Sequence, residues 1–296
     1  MIRFIACDMD GTLLESSSRL PEETIGLIEE LYDLGVRFCV SSGRRVGTLQ
    51  ELFAPVADKI DYVASNGTSI YVGDELVDKE FFSRDDLMQL ADVVNQFDCL
   101  HLTCATEETS YCLDDDPDKY ARFLEVHGGW TTYTPGTPPP GSELILGVCV
   151  CSDPEQIVDL AYVLNMEMGD RFVFQRTGMV AIDFTPKTVN KATGLRKVLR
   201  HHGIRRDEAV AYGDAMNDYD MLRYVGHPVV VGNALYGAYQ IAERVIETNL
   251  EHGVQRDMRR IIDDLRAGGD GLVDFTLPPT AIGTGSGSVA SSGGTA

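Results

Sequence analysis

Basic side chains are scarce in this sequence: 25 Lys and Arg stand against 46 Asp and Glu, giving a net charge of −21 over 296 residues. Nucleic acid and anionic membrane both need a basic footprint, so neither is expected as the main partner. Acidity of this kind also simply keeps a protein soluble. No apolar run approaches the roughly 20 residues that span a bilayer. Met1 leads straight into a strand-like run, with no basic-then-apolar leader. None of the seven cysteines sits in a CxxC pair. Most lie in apolar runs (Cys7, Cys39, Cys149, Cys151), as buried free thiols do in a reducing cytoplasm, which is the expected location. Cys149 and Cys151 would share one strand face, but they lack the second ligand pair of a metal site.

What remains is an ordinary globular composition, 44% hydrophobic and 24% charged, with length enough for one large or two modest domains. The chain opens with a short apolar run that ends in Asp8-Met9-Asp10-Gly11-Thr12. Such a run, stopped by a glycine turn, reads as a buried parallel strand. Ligands of open α/β sheets bind beyond the carboxyl ends of strands, and two carboxylates there repel unless a cation intervenes or their roles differ. Asp10-Gly11 alone is also a common turn former.

Residues 21–34 read as a helix, with Pro21 in the first turn, a stripe of Ile25, Ile28 and Leu31, and Gly35 as the stop. Residues 36–40 form the next strand, which runs into Ser41-Ser42-Gly43-Arg44; either serine suits a helix N-cap. A strand over 59–64 closes at Ser65-Asn66-Gly67, a hairpin signal, with flanking strands at 68–72 and 75–77. From residue 83 to 184 a helix-strand-strand order occurs twice, which predicts an inserted second domain: a small sheet with helices on one face. Four prolines over 131–142 predict a loop there. Lys187 and Lys191 then open a helix, where a cation opposes the macrodipole and so gains a purpose only near an anion. A strand over 208–212 ends in Gly213-Asp214-Ala215-Met216-Asn217-Asp218, a hard-oxygen set suited to magnesium. Strands at 227–231 and 244–247 follow, with a helix from about 234 between them. Residues 276–296 carry no charge and no aromatic ring, which predicts a disordered tail.

DMDGTLL resembles the nucleophile motif of the haloacid dehalogenase (HAD) superfamily. Ser42 with Gly43-Arg44 is similar to the second motif of its Cof-type group, and GDAMND matches the fourth motif, GDxxND. Lys191, ahead of a small residue and Gly194-Leu195, resembles the third; Lys187 is the alternative. Asn66-Gly67, Asn233-Ala234 and Glu251-His252-Gly253-Val254 also resemble Cof-type positions. The resemblance spans about residues 2–267. It implies an α/β fold: a doubly wound, mainly parallel Rossmann-like core from 1–82 and 185–275, with an inserted α+β cap over 83–184. It implies a magnesium-dependent phosphatase acting on a small phosphorylated metabolite through an aspartyl-phosphate. Asp8 would be the nucleophile and Asp10 the acid and base. Ser42, Gly43, Arg44, Lys191 and Asn217 would bind the phosphate. Magnesium would sit on Asp8, the Asp10 backbone carbonyl and Asp214, with Asp218 beside it or reached through water. A sugar phosphomutase or a catalytically silent binding protein are the alternatives. His101, Tyr111, Trp130 and Arg176 are cap positions that could line a pocket or equally belong to the core or the surface. Neither the substrate nor the oligomeric state follows from these motifs.

Overall fold

The computed structural model describes residues 1–15, 19–114, 116–127, 132–177 and 179–277. The first stretch of chain builds β1 (Phe4–Cys7), α1 (Thr24–Asp33), β2 (Arg37–Ser41), α2 (Val46–Leu52), β3 (Ile60–Ala64), β4 (Ser69–Val72) and β5 (Glu75–Lys79). An inserted module follows: α3 (Arg84–Val94), β6 (Leu100–Ala105), β7 (Ser110–Cys112), α4 (Pro117–His127), β8 (Tyr133–Pro135), β9 (Leu146–Cys151), α5 (Ile157–Met168), β10 (Phe172–Arg176) and β11 (Ala181–Pro186). The chain then returns through α6 (Lys191–His202), β12 (Ala209–Gly213), α7 (Tyr219–Tyr224), β13 (His227–Val231), α8 (Tyr236–Tyr239), β14 (Arg244–Ile246) and α9 (Gly253–Arg266).

The first sheet runs β14-β13-β12-β1-β2-β3-β4-β5. It is parallel from β14 to β3 and antiparallel from β3 to β5. Strand alternation sorts its side chains onto two covered faces. Ile5 and Cys7 pack with Leu27 and Leu31 of α1 and Met258 and Ile261 of α9. Phe4 and Ala6 pack with Leu195 and Val198 of α6 and Met221 of α7. This is a doubly wound α/β core.

The module's own sheet runs β10-β11-β9-β6-β7-β8. Helices α3 and α5 cover the face that carries Leu102, Cys149 and Cys151. Helix α4 instead lays Phe123 on Cys112 and Val150, which alternation places on the opposite face. The expectation of helices on one face is therefore corrected: they lie on both.

Four local differences have simple causes. Helix α1 starts at Thr24 because Pro21 forms a turn before it, its carbonyl accepting the Thr24 amide at 3.0 Å. Strand β8 forms within the proline-rich stretch, but at the sheet edge, where Pro135 breaks no ladder. Helix α9, absent from the expected elements, forms because Val254, Met258, Ile261 and Leu265 recur at helical spacing and pack on the main core. Thr276 and Leu277, the start of the expected tail, bond to Val245; residues 278–296 lie outside the described residues. All seven cysteines are free, and six are buried. Among the described residues no helix is long and apolar enough to cross a membrane.

Candidate active site

Strands β12, β1 and β2 are neighbours, so Asp214, Asp8 and Ser42 emerge side by side at their carboxyl ends. The Asp8 amide donates to the Tyr212 carbonyl at 3.0 Å, which ties β1 to β12 just before the turn. Gly11 follows with φ +85°, a left-handed conformation that suits glycine. A Cβ at this position would lie 2.6 Å from Asp214 Oδ2, so only glycine lets the turn come so near. Thr12 Oγ1 donates to Asp214 Oδ1 at 2.7 Å. The turn is pinned from behind as well. Asn233 Nδ2 donates to the Gly11 carbonyl at 2.8 Å, Asn249 Nδ2 to Leu14 at 2.8 Å, and Gln255 Nε2 to Leu13 at 3.1 Å. Asn249 and Gln255 have no counterpart in the sequence reading; an amide in the turn before α9 and one in its first turn gave no signal that they would bond a distant turn.

Lys191 enters from the first turn of α6. Asn190 caps that helix reciprocally with Thr193, at 2.9 and 3.0 Å. The Lys191 side chain is only 1% exposed, and its Nζ donates to Asp8 Oδ1 at 2.5 Å and Asp218 Oδ1 at 2.6 Å. Burial opposes the charged lysine, but Asp218 and Asp8 outweigh it and push its pKa up. Asp218 Oδ2 accepts the amides of Asp214 and Ala215, both at 3.1 Å. Both oxygens of Asp218 are thus engaged, one by Lys191 and the other by the amides of the turn.

Asp8, Asp214 and Asp218 bring carboxylate oxygens within 4.8 Å of one another. Burial first, and the neighbouring Asp218 next, push Asp8 well above the carboxylate range and Asp214 up to about 6. Three carboxylates facing one ammonium leave excess negative charge in a partly desolvated pocket. That deficit and the all-oxygen donor set fit a hard divalent cation such as magnesium.

Asp10 stands apart from this cluster. Its side chain is 59% exposed and is held by Arg44, Nε to Oδ2 at 2.9 Å and Nη2 to Oδ1 at 2.5 Å. Ser42 is buried, and its Oγ accepts the Arg44 amide at 3.2 Å. Gly43 faces the Asn66 amide, and Asn217 is half-buried in the β12 turn. Lys187 lies elsewhere, donating to the Gly169 carbonyl at 2.7 Å. In the inserted module His101 is fully buried against Asp114, and Tyr111 packs on the module's core. Arg176 is exposed; Trp130 lies outside the described residues.

A family model for haloacid dehalogenase-like hydrolases matches residues 5–258, and the chain belongs to that family of hydrolases. An HMP-PP phosphatase of an Enterobacter species is 28% identical over 242 residues, covering 79% of this chain and 86% of its own. One from Klebsiella pneumoniae is 27% identical over 243 residues, with the same coverage of 79% and 86%. Among solved structures, a protein of Streptococcus mutans UA159 superposes with a TM-score of 0.78 at 20% identity, covering 90% of this chain and 100% of that one. A sugar phosphatase of HAD subclass IIB superposes with a TM-score of 0.73 at 21% identity, covering 87% and 98%. These structures share the fold over most of this chain.

Proposed function

We propose that the protein is a magnesium-dependent phosphatase that hydrolyses a small phosphate monoester through an aspartyl-phosphate on Asp8. The observation that carries this reading is the contrast between two nearby carboxylates. Asp8 is buried against Lys191, whereas Asp10 is exposed and steered by Arg44. One is set to react and the other to exchange protons. The relatives named as HMP-PP and sugar phosphatases support a small phosphorylated substrate.

The residues that would hold magnesium are Asp8, the Asp10 backbone carbonyl and Asp214, with Asp218 beside them or reached through water. When bound, the ion supplies positive charge that offsets repulsion between the carboxylates and the incoming phosphate. The Asp8 carboxylate oxygen not held by Lys191 attacks phosphorus, and the bond to the ester oxygen breaks. Asp10 gives its proton to that oxygen as the alcohol leaves. Ser42, Gly43, Lys191 and Asn217 bind the equatorial oxygens, where charge must be stabilised. Arg44 also binds there, or keeps Asp10 aimed. Asp10 then takes a proton from water, which attacks the acyl-phosphate and releases inorganic phosphate and the Asp8 carboxylate. The cap, residues 83–184, excludes bulk water and selects the leaving group.

The test uses a nitrophenyl phosphate, whose leaving group departs without a proton. Asp8→Asn should abolish turnover, because an amide forms no acyl-phosphate. Asp10→Asn should still be phosphorylated but hydrolyse the intermediate roughly 10²–10⁴-fold more slowly, the usual contribution of an acid–base group. Intact mass after an acid quench should then show one added phosphoryl group on Asp10→Asn and none on Asp8→Asn. Normal turnover by Asp8→Asn would refute the mechanism.

A further inference from the structure

The inserted module reaches the loop of Ser42 and Arg44 from β11, where Asp183 meets the flanking Asn66, and Arg45 adds contacts to the Thr106 and Glu107 carbonyls at 3.4 and 3.3 Å. The strand neighbours of Asp183, Ile182 and Phe184, belong to the module's main core, so alternation turns Asp183 to the other face. There Asn66 Nδ2 donates to Asp183 Oδ2 at 3.0 Å, and Thr177 Oγ1 donates to Oδ1 at 2.9 Å.

Asn66 sits in a strained turn. Ser65 and Asn66 have φ of 49° and 55°, a left-handed pair without a glycine. The turn is stitched to the loop by backbone bonds, Asn66 N–H to the Ser42 carbonyl and Ser65 N–H to Arg44, both at 2.9 Å. On its other side Gly67 lies against the start of α6; a Cβ there would come within 2.3 Å of the Asn190 carbonyl, next to Lys191. A Cβ on Gly43 would sit 3.3 Å from Asn66 Nδ2 and 3.4 Å from Asp183 Oδ2. A carboxylate only accepts, so it fixes the Asn66 amide with its NH₂ toward the module. That leaves Asn66 Oδ1 buried beside Gly43 without a partner among the described residues, an orientation the amide would not hold unaided.

We infer that Asp183 is a positioning residue: acting through Asn66, it holds the 65–67 turn and thereby the Ser42–Gly43–Arg44 loop in the shape that receives phosphate. The inference rests on the proposed phosphatase reading, since it takes that loop as the phosphate site.

Asp183→Ala, Asn66→Ala and the double variant test it, with nitrophenyl phosphate as substrate and inorganic phosphate as competitive inhibitor. Each single variant should raise KM and the phosphate inhibition constant together by about tenfold, with kcat changed far less. The double variant should match the singles rather than multiply them, because both substitutions break one linkage. Amide hydrogen exchange should speed up at residues 42–45 and 65–67 in Asp183→Ala, although residue 183 is distant in sequence. Unchanged phosphate affinity, multiplicative effects, or unchanged exchange would each overturn the inference. Where Asp183→Ala fails to fold, Asp183→Asn replaces it, keeping an acceptor for Thr177 while placing an amide against the Asn66 amide. A wild-type protein without phosphatase activity would sink the functional reading alone; the exchange experiment would still decide the linkage.

Discussion

A lysine in the first turn of a helix faces the positive end of the macrodipole, and Lys191 occupies that position almost without solvent. Asp8 and Asp218 make this tenable, and the Asp218 charge in turn presses on the buried Asp214. Each charge here is held in place by the others, so removing one member has two opposite consequences. Asp214→Asn should relieve like-charge repulsion and leave the melting temperature without magnesium equal to wild type or slightly higher. Thr12 can still donate to the remaining carbonyl oxygen. The same substitution removes an anionic ligand, so the rise in melting temperature on adding magnesium should vanish or need far more metal, and activity should fall by orders of magnitude. Thermal melts across a magnesium titration check both halves. A wild-type magnesium response in the variant would remove Asp214 from the proposed site.

At the scale of elements, the parts legible in the sequence were those with a strong local signature. Apolar runs broken by Asp8, Ser42 and Asp214 announced three strand ends, because a buried parallel strand must be apolar throughout and can only turn polar where it stops. What pins those ends together was not legible: Asn249 and Gln255 come from the turn before α9 and from its first turn, more than 230 residues along the chain from Leu13 and Leu14. His101 shows the converse. An isolated histidine on a strand left pocket, core and surface all open, and β6 buries it, with its Nδ1 meeting Asp114 Oδ2 at 2.6 Å. Lys119 of α4 approaches Asp114 at 3.4 Å, and Cys112 of β7 also faces it. Burial alone would raise the Asp114 carboxyl, but His101 and Lys119 outweigh it and hold it below the ordinary value. A lowered folded pKa gives stability that is present above the unfolded value of about 3.9 and lost as pH falls through the lower folded one. Asp114→Asn should therefore cost roughly 3–5 kcal/mol at neutral pH, as breaking a buried pair does. The gap to wild type should narrow as pH drops below about 4. Denaturant unfolding at pH 7 and pH 3 measures it; a gap that stayed constant would mean Asp114 does not carry the linkage.

For the molecule as a whole, the open question is where the fold ends. Composition pointed to a boundary just past Phe275, but the chain after α9 is bound to the first sheet over a longer stretch. The Asp270 carbonyl accepts the Ile2 amide at 2.6 Å, ahead of β1. Val273 and Phe275 pack against the main core, and Arg260 lies 3.6 Å over the Phe275 ring. Thr276 Oγ1 accepts the Val245 amide at 3.0 Å, and the Leu277 amide donates to the Val245 carbonyl at 2.7 Å. These bonds occupy the outward side of β14, the edge strand of the sheet, where free backbone groups would otherwise invite pairing with another chain. Composition could not reveal this, because Thr276 and Leu277 are held through backbone and one hydroxyl rather than through a buried apolar stripe. Two truncations separate the cases. A chain ending at Leu277 keeps all of these contacts and should melt and turn over like the full chain. A chain ending at Asp270 keeps the bond to Ile2 but loses the ring under Arg260 and the cover on β14. At about 2–4 °C per kcal/mol for a protein of this size, losing a few such contacts should lower its melting temperature by several degrees and raise its tendency to self-associate. Turnover at low temperature should persist, since none of these residues reaches the strand ends that carry Asp8 and Asp214. Melting curves and size-exclusion profiles of the two truncated chains decide the matter: equal melting temperatures would show that the segment after α9 only decorates the sheet edge.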